Sequence, residues 1–331
     1  MTGAVPLVSV VIPTYNRRDE IVRSITSVFN QTYRPIEILV VDDCSADGTA
    51  DFLQTQQFPR PVRVLRHLEN AGPAVARNTG VAAAAGKYVA FLDSDDWWLP
   101  CKLERQMEIA GPLGARQNFL IYTQAYLIRK YETIIRPRRA MAGEGVAEYV
   151  FCNGGHINTS SVLVPTELIR RCGYDPKLRL HEDWDLYLRL EQFGVEFYFL
   201  SEPLTVTADL VARGRASNPN PERSFLWVEE RKNLISKRSF NAFRAKMAPD
   251  LRAIAPLRAI WLIMVAFLKR DLGLFITLSL LGRLAHPELR NIAYWTRSLG
   301  GRQQGSLEPE LTHSGEGSPK TQISRIQSSP E

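Results

Sequence analysis

Asp93-Ser94-Asp95-Asp96 follows directly on the apolar run 88–92. In an open parallel sheet, ligands gather at the carboxyl ends of strands, and in extended backbone residues two apart project to the same side. The spacing therefore predicts that Asp93 and Asp95 act together on one ligand, with Ser94 between them. Hard carboxylate oxygens so arranged suit Mg2+ or Mn2+, which take one or two carboxylates and complete their shell with water and phosphate oxygens. Taken alone, the same residues also read as a solvated acidic turn capping a helix at Leu99.

Two more acidic sites lie at the ends of predicted strands. Asp42-Asp43 ends the run 36–41 and precedes Ser45 and Asp47-Gly48; carboxylates there can accept hydrogen bonds from a base N–H or from ribose hydroxyls. His181-Glu182-Asp183-Trp184-Asp185 opens a predicted helix. At a helix N-terminus the dipole and the free N–H groups favour an ionised carboxylate, and a general base must be ionised before it takes a proton. Asp183 is thus a candidate base, with simple helix capping as the competing reading. After the first strand, Pro13-Thr14-Tyr15-Asn16 offers a ring that could stack on a nucleobase and small polar groups that could read its edge, although a strand-end tyrosine is commonly just packing. Arg77 offers a cation that could pair with diphosphate, or is a plain surface arginine. His156 could touch a metal or an acceptor, or is an ordinary loop histidine.

The elements that must position these residues alternate as β-α-β-α-β-α-β over the first hundred residues. This pattern predicts an α/β fold with a mostly parallel sheet flanked by helices. The runs 8–12, 36–41, 62–65 and 88–92 are nearly continuous in apolar residues, as strands buried on both faces should be. Ile21, Ile25, Val28 and Phe29 repeat at helical spacing, and Gly72-Pro73 opens an alanine-rich helix reaching Gly86. Further helices are expected over 166–171 and 183–193, and a strand over 195–200. The stretch 208–224, with Arg213, Arg215 and three prolines, reads as a long loop of the kind that forms lids.

Residues 256–285 are the most apolar part of the chain, but Lys269-Arg270-Asp271 divides them into pieces shorter than the ~20 residues that span a bilayer. They predict two helices lying at a membrane surface or packing on the catalytic domain. After Gly300 the composition turns to Gly, Ser, Pro, Gln and Glu, which predicts disorder. The resulting division is 1–230 as a catalytic domain, 231–299 as a helical extension and 300–331 as a disordered tail.

The chain has 331 residues, of which 45% are hydrophobic and 23% charged, so it can bury a sizeable core. Its four cysteines, Cys44, Cys101, Cys152 and Cys172, are too far apart for a disulfide framework or a zinc site and fit a reduced cytosol. No secretory signal is expected at the start, which predicts a cytoplasmic protein, peripheral on the inner face of the cell membrane if 256–285 binds there. The net charge of +6 is set by Lys and Arg concentrated after Arg213, which favours a membrane-facing basic end over a nucleic-acid groove.

With these residues in view, positions 7–230 resemble the family 2 glycosyltransferases, whose domain has the GT-A fold. The likeness rests on Val8-Ser9-Val10-Val11-Ile12-Pro13-Thr14-Tyr15-Asn16, Val40-Val41-Asp42-Asp43-Cys44-Ser45-Ala46-Asp47-Gly48-Thr49, Ala76-Arg77-Asn78-Thr79-Gly80, Leu92-Asp93-Ser94-Asp95-Asp96 and Glu182-Asp183-Trp184-Asp185-Leu186, in that order. The resemblance implies a UDP-sugar donor whose base and ribose are held by Thr14, Tyr15, Asp42 or Asp43, and Asp93. It also implies Asp95 as the holder of the bridging metal, Asp183 as the base of an inverting transfer, and a saccharide or lipid-linked acceptor in cell-surface polysaccharide or glycolipid synthesis. Cys44 departs from the family, where glycine is common. The Gln-x-x-Arg-Trp motif of processive members is missing, implying single additions. A nicotinamide dehydrogenase would need GxGxxG where this chain has Pro-Thr-Tyr-Asn-Arg-Arg, and a nucleotidyltransferase would offer a glycine-rich phosphate loop. The remaining alternative is a non-catalytic nucleotide-sugar-binding or scaffold protein at a membrane.

Overall fold

The computed structural model describes residues 5–114, 116–128, 132–208, 221–252, 254–285 and 323–325. The chain divides into two compact units, one of Met1–Val150, Gly154–Ser217 and Ile323–Glu331, the other of Phe151–Asn153 and Asn218–Gln322.

The first unit is built on a single sheet. β1 (Val8–Thr14), β2 (Ile36–Asp42), β3 (Val62–Arg66) and β4 (Tyr88–Phe91) lie parallel in the order β4-β1-β2-β3. Every residue of β1 is buried, which is why its sequence carries no polar alternation. α1 (Ile21–Phe29), α2 (Thr49–Thr55) and α3 (Pro73–Ala83) connect these strands. α3 approaches β1 closely at Gly80, where an added Cβ would stand 2.3 Å from Val11 Cγ1, so the small-residue run is a packing requirement. This helix ends at Ala83, short of the expected Gly86.

Beyond β4 the sheet continues through β8 (Leu163–Pro165), β6 (Phe119–Ile128) and β9 (Glu196–Ala208). β8 is antiparallel to both β4 and β6, and β9 is parallel to β6. β7 (Thr133–Arg136) pairs β6, and β5 (Asp96–Trp98) pairs the far end of β9. β9 is much longer than the strand expected over 195–200: register shifts opposite Thr123, Gln124 and Ala125 let it carry Pro203 and continue to the site. α4 (Lys102–Leu113), α5 (Thr166–Cys172) and α6 (Glu182–Gln192) complete the unit.

The 300–331 tail lies outside the described residues except for β10 (Ile323–Arg325), which pairs antiparallel with β9.

The second unit comprises α7 (Pro221–Glu230), α8 (Lys237–Met247), a 3-10 turn at Ala248–Leu251, α9 (Pro256–Leu268) and α10 (Leu274–Ala285). α7 groups with these helices and not with the sheet, so the division falls ahead of the expected residue 230. An aromatic cluster explains it: Trp227 and Phe151 pack on Phe243 at ring distances of 5.2 and 5.0 Å. Among the described residues no helix is long and apolar enough to cross a membrane.

Candidate active site

At the rim of the sheet, the end of β1 adjoins the end of β2, with Thr14 beside Asp42 in register. Thr14 Oγ1 and Asp42 Oδ1 are both buried without a hydrogen-bond partner, whereas Asp42 Oδ2 accepts from the Ser45 N–H at 3.2 Å. Tyr15, just beyond the strand, is 47% exposed, so its ring can meet a planar ligand. Pro13 is buried within β1. Asn16 takes a left-handed φ of 51°, and its Oδ1 accepts from the Ala46 N–H at 2.8 Å while its own N–H donates to Ser45 Oγ at 2.9 Å. Asn16 therefore ties the first loop to the second.

Asp43 is likewise turned inward. One carboxylate oxygen accepts from the Ala71 N–H at 2.9 Å and pairs with His67 Nδ1 at 2.8 Å; the other accepts from the Gly72 N–H at 2.7 Å. Asp43 thus fixes the start of α3. His67 Nε2 lies 2.9 Å from Thr79 Oγ1, which extends this bracing into the helix.

The acidic segment after β4 is a turn, which corrects the extended backbone expected for Asp93 and Asp95. The Asp96 N–H donates to the Asp93 carbonyl at 3.0 Å, and the chain reverses into β5, not into a helix; α4 starts only at Lys102. α1 holds this turn: Ser24 Oγ donates to the carbonyls of Ser94 and Asp96 at 2.8 and 2.6 Å, and Arg23 Nη2 to that of Asp95 at 2.8 Å. Ser94 is buried. Ser160 braces the turn from the other side, its Oγ accepting from the Asp93 N–H at 3.0 Å and donating to Asp96 Oδ2 at 2.6 Å. Asp95 Oδ2 stands 3.9 Å from Arg17 Nη2.

Arg77 joins the acidic turn to α6. It is buried, not a surface residue, and donates through Nη2 to Asp93 Oδ1 at 2.8 Å and through Nη1 to Glu182 Oε1 at 2.9 Å. Its guanidinium sits 5.3 Å from the Tyr174 ring, and Asn78 clamps the Tyr174 backbone with two 2.8 Å hydrogen bonds. Burial alone would lower the arginine's pKa, but Asp93, Tyr174 and Glu182 hold it well above the ordinary value. Each terminal nitrogen reaches one carboxylate, so Arg77 bridges the two acidic segments, while its buried Nε has no hydrogen-bond partner.

Asp183 lies in the first turn of α6 and is not its cap; His181 holds that position, with a left-handed φ of 62° and its ring stacked on Trp184 at 4.7 Å. Asp183 Oδ1 accepts from the Trp184 N–H at 2.8 Å. The expectation that the helix terminus keeps this carboxylate readily ionised is corrected. Burial first, and the charge of Glu182 second, push its pKa up to about 7, against the opposing pull of the Trp184 N–H and Arg77. A carboxylate poised there can hold or release a proton near neutral pH. Asp185 is structural: Oδ2 accepts from Arg189 Nε at 2.8 Å, and Arg189 also ties the end of α5 through the carbonyls of Cys172 and Gly173.

Among the described residues no three His, Cys, Asp or Glu side chains gather as a metal cage. The acidic turn offers Asp95 with Asp93 beside it, hard oxygen donors that match the small carboxylate share of an Mg2+ or Mn2+ shell completed by phosphate and water. The donor set fits such a cation. Arg213 and Arg215, and the expected lid around them, lie outside the described residues. Sequence reasoning misses Arg17, Ser160 and Tyr174. The Asn16-Arg17-Arg18 turn marks the first of these, while the other two carry no local signal.

Residues 9–122 match the family model described as Glycosyl transferase family 2. Over 250 residues the chain is 28% identical to the amylovoran biosynthesis glycosyltransferase AmsB of Erwinia amylovora, covering 73% of this chain and 83% of that one. It is 50% identical over 124 residues to the putative teichuronic acid biosynthesis glycosyltransferase TuaG of Bacillus subtilis, covering 37% of this chain and 49% of the relative. The fold is similar to that of the mannosyltransferase PcManGT from Pyrobaculum calidifontis, solved in complex with GDP-Man and Mn2+, with a TM-score of 0.53, 17% identity, and 90% and 84% of the two chains covered.

Proposed function

We propose that this chain, whose residues 9–122 match the model of family 2 glycosyltransferases and whose fold is similar to that of PcManGT, transfers a sugar from a nucleoside diphosphate donor, of the UDP-sugar type, to a hydroxyl of a saccharide or lipid-linked acceptor, with inversion at the anomeric carbon. Membrane-surface polysaccharide synthesis is the setting this reading assigns to it, with contact to the inner face of the membrane through 256–285. The names of AmsB and TuaG support polysaccharide synthesis, and the GDP-Man bound by PcManGT supports a nucleotide-sugar donor.

One observation carries the reading: through Arg77, Asp93 and the Glu182-Asp183 segment are 2.8 and 2.9 Å from a shared guanidinium. The acids of the expected donor end and the expected base therefore meet at one rim. Tyr15 stacks on the base, with Thr14 and Asp42 beneath it. Asp183 takes the acceptor's hydroxyl proton as that oxygen bonds to the anomeric carbon from the face opposite the diphosphate. The bond from that carbon to the diphosphate oxygen breaks, and its electron pair leaves with the diphosphate. Asp95, with Asp93, would hold a divalent cation, which when bound supplies neutralisation of diphosphate charge. Arg17, beside Asp95, adds positive charge at the same end; such positioned charge is worth roughly 3–4 kcal/mol in comparable sites.

The test is nucleotide release from a panel of UDP- and GDP-sugars with Mn2+, with and without membrane extract. Release that depends on both donor and acceptor is expected, and Asp95→Asn should abolish the Mn2+-dependent part of nucleotide diphosphate binding measured by calorimetry. A protein that binds donor and releases nothing with any acceptor is a binding module instead.

A further inference from the structure

The helical unit carries a face that sugar transfer does not use. On α9 the side bearing Ala259 and Ile263 is buried, while Leu257, Trp261, Met264 and Leu268 on the opposite side are 36–82% exposed. Positions i, i+4, i+7 and i+11 form one stripe along a helix. α10 adds Phe275 and Leu278, 76% and 46% exposed. A helix outer face in a water-soluble bundle is ordinarily polar, and a contiguous apolar patch marks a docking surface.

The charges around the stripe identify what docks. Arg252, Arg258, Lys269 and Arg270 are exposed. The one acidic residue between positions 252 and 285, Asp271, is buried and accepts from Asn241 Nδ2 at 2.8 Å. The face is therefore apolar with a purely basic margin, complementary to a surface that is apolar within and anionic at its boundary. At 13 residues, α9 is about 20 Å long, against a hydrocarbon core of ~30 Å, so it can lie in such a surface and not cross it.

We propose that the outer face of α9 and α10 docks in plane on an anionic lipid bilayer, with Trp261 and Phe275 entering the boundary of the acyl region and Arg258, Lys269 and Arg270 meeting lipid phosphates. This deepens the membrane contact included in the transferase reading and rests on it for its purpose, which is to bring the site to acceptors held at a membrane.

The experiment is co-sedimentation of the full chain with phosphatidylglycerol-containing vesicles and with pure phosphatidylcholine vesicles. The wild type should sediment with the anionic vesicles, and W261E/F275E should lower its partition coefficient at least tenfold. K269Q/R270Q should weaken binding to anionic vesicles alone, as should high salt. Circular dichroism checks that the variants fold. Equal binding to both lipids, or unchanged binding of W261E/F275E, overturns the proposal. So does a dimer in light scattering that W261E/F275E dissociates, which assigns the face to a second copy, or binding that arises only after deletion of residues 286–331, which assigns it to that segment. Transfer to a water-soluble acceptor should be equal in wild type and W261E/F275E. If the wild type transfers nothing, the transferase reading fails while the vesicle result still decides the docking surface.

Discussion

Asp43 and Asp183 are both second members of an acidic pair at the same sheet rim, and their surroundings give them opposite uses. Asp43 receives two backbone N–H groups and faces the His67 ring; Asp183 receives one N–H and sits against Glu182 with its pKa pushed up to about 7. A carboxylate whose lone pairs are filled by the protein holds the chain in place. One that is half-buried and short of donors can exchange a proton with a substrate. Donor count, which the sequence does not display, separates the bracing acid from the one proposed as the base.

The sharpest way to break this contrast is Asp183→Asn. Loss of a general base costs typically 10²–10⁴ in rate, so transfer should fall by about that factor while donor affinity, measured by calorimetry, holds. Transfer by the wild type should rise with pH through about 7, because the ionised form is the base. The stability effect has the opposite sign. The folded pKa lies above the unfolded value of 3.8, so the native state binds the extra proton between roughly pH 4 and 7 and loses stability as pH rises through that window. Asp183→Asn should therefore be at least as resistant to urea at pH 8 as the wild type; a clear loss would make Asp183 a structural acid like Asp43.

Arg77→Met tests what holds the two acidic segments together. Removing one partner of a buried pair costs about 3–5 kcal/mol. With the Asp93 side chain 26% exposed, water relieves part of this and the low end is expected, read as a fall in urea midpoint. A stability loss without any fall in transfer would mean the bridge does not align the base with the donor. Asp43→Asn should come next, at about 2 kcal/mol, since its amide oxygen would accept one of the two backbone N–H groups while its NH2 opposed the other and left it unsatisfied. It should leave the pH dependence of transfer in place. A shifted pH limb would show that the Asp43 network reaches the reacting groups.

Much of this site is legible in the order of residues alone. Continuous apolar runs announce β1 and β4 because strands buried on both faces need no polar alternation, and the acids at their ends follow; β3 corrects the burial expected over 62–65, since it ends the strand order and none of its residues is fully buried. The three-residue β5 is hidden, since Asp96-Trp97-Trp98 is too short to show a period and its partner lies over 100 residues away in β9. Arg77 can be seen but not interpreted: its partners are 16 and 105 residues distant, and only the fold brings them to one guanidinium. At Asp183 the position is readable and the ionisation is not, because burial and the charge of Glu182 act against the Trp184 N–H and Arg77, and burial outweighs the rest.

The smallest expected effect lies beside Asp43. Cys44 takes φ of 63°, a left-handed conformation that costs an L-residue roughly 1–2 kcal/mol and that glycine adopts freely. Its thiol does little in return, reaching the Leu68 carbonyl at a sulfur distance of 3.4 Å. Cys44→Gly should thus gain up to about 1 kcal/mol, less than the full strain because glycine loses more chain entropy on folding, and a small rise in melting temperature would register it. The rate of transfer should stay as it was, since the turn only carries the backbone between Asp43 and Ser45. A changed rate would mean that strain at Cys44 sets the position of Asp42, and the division between bracing and chemistry at this strand end would have to be redrawn.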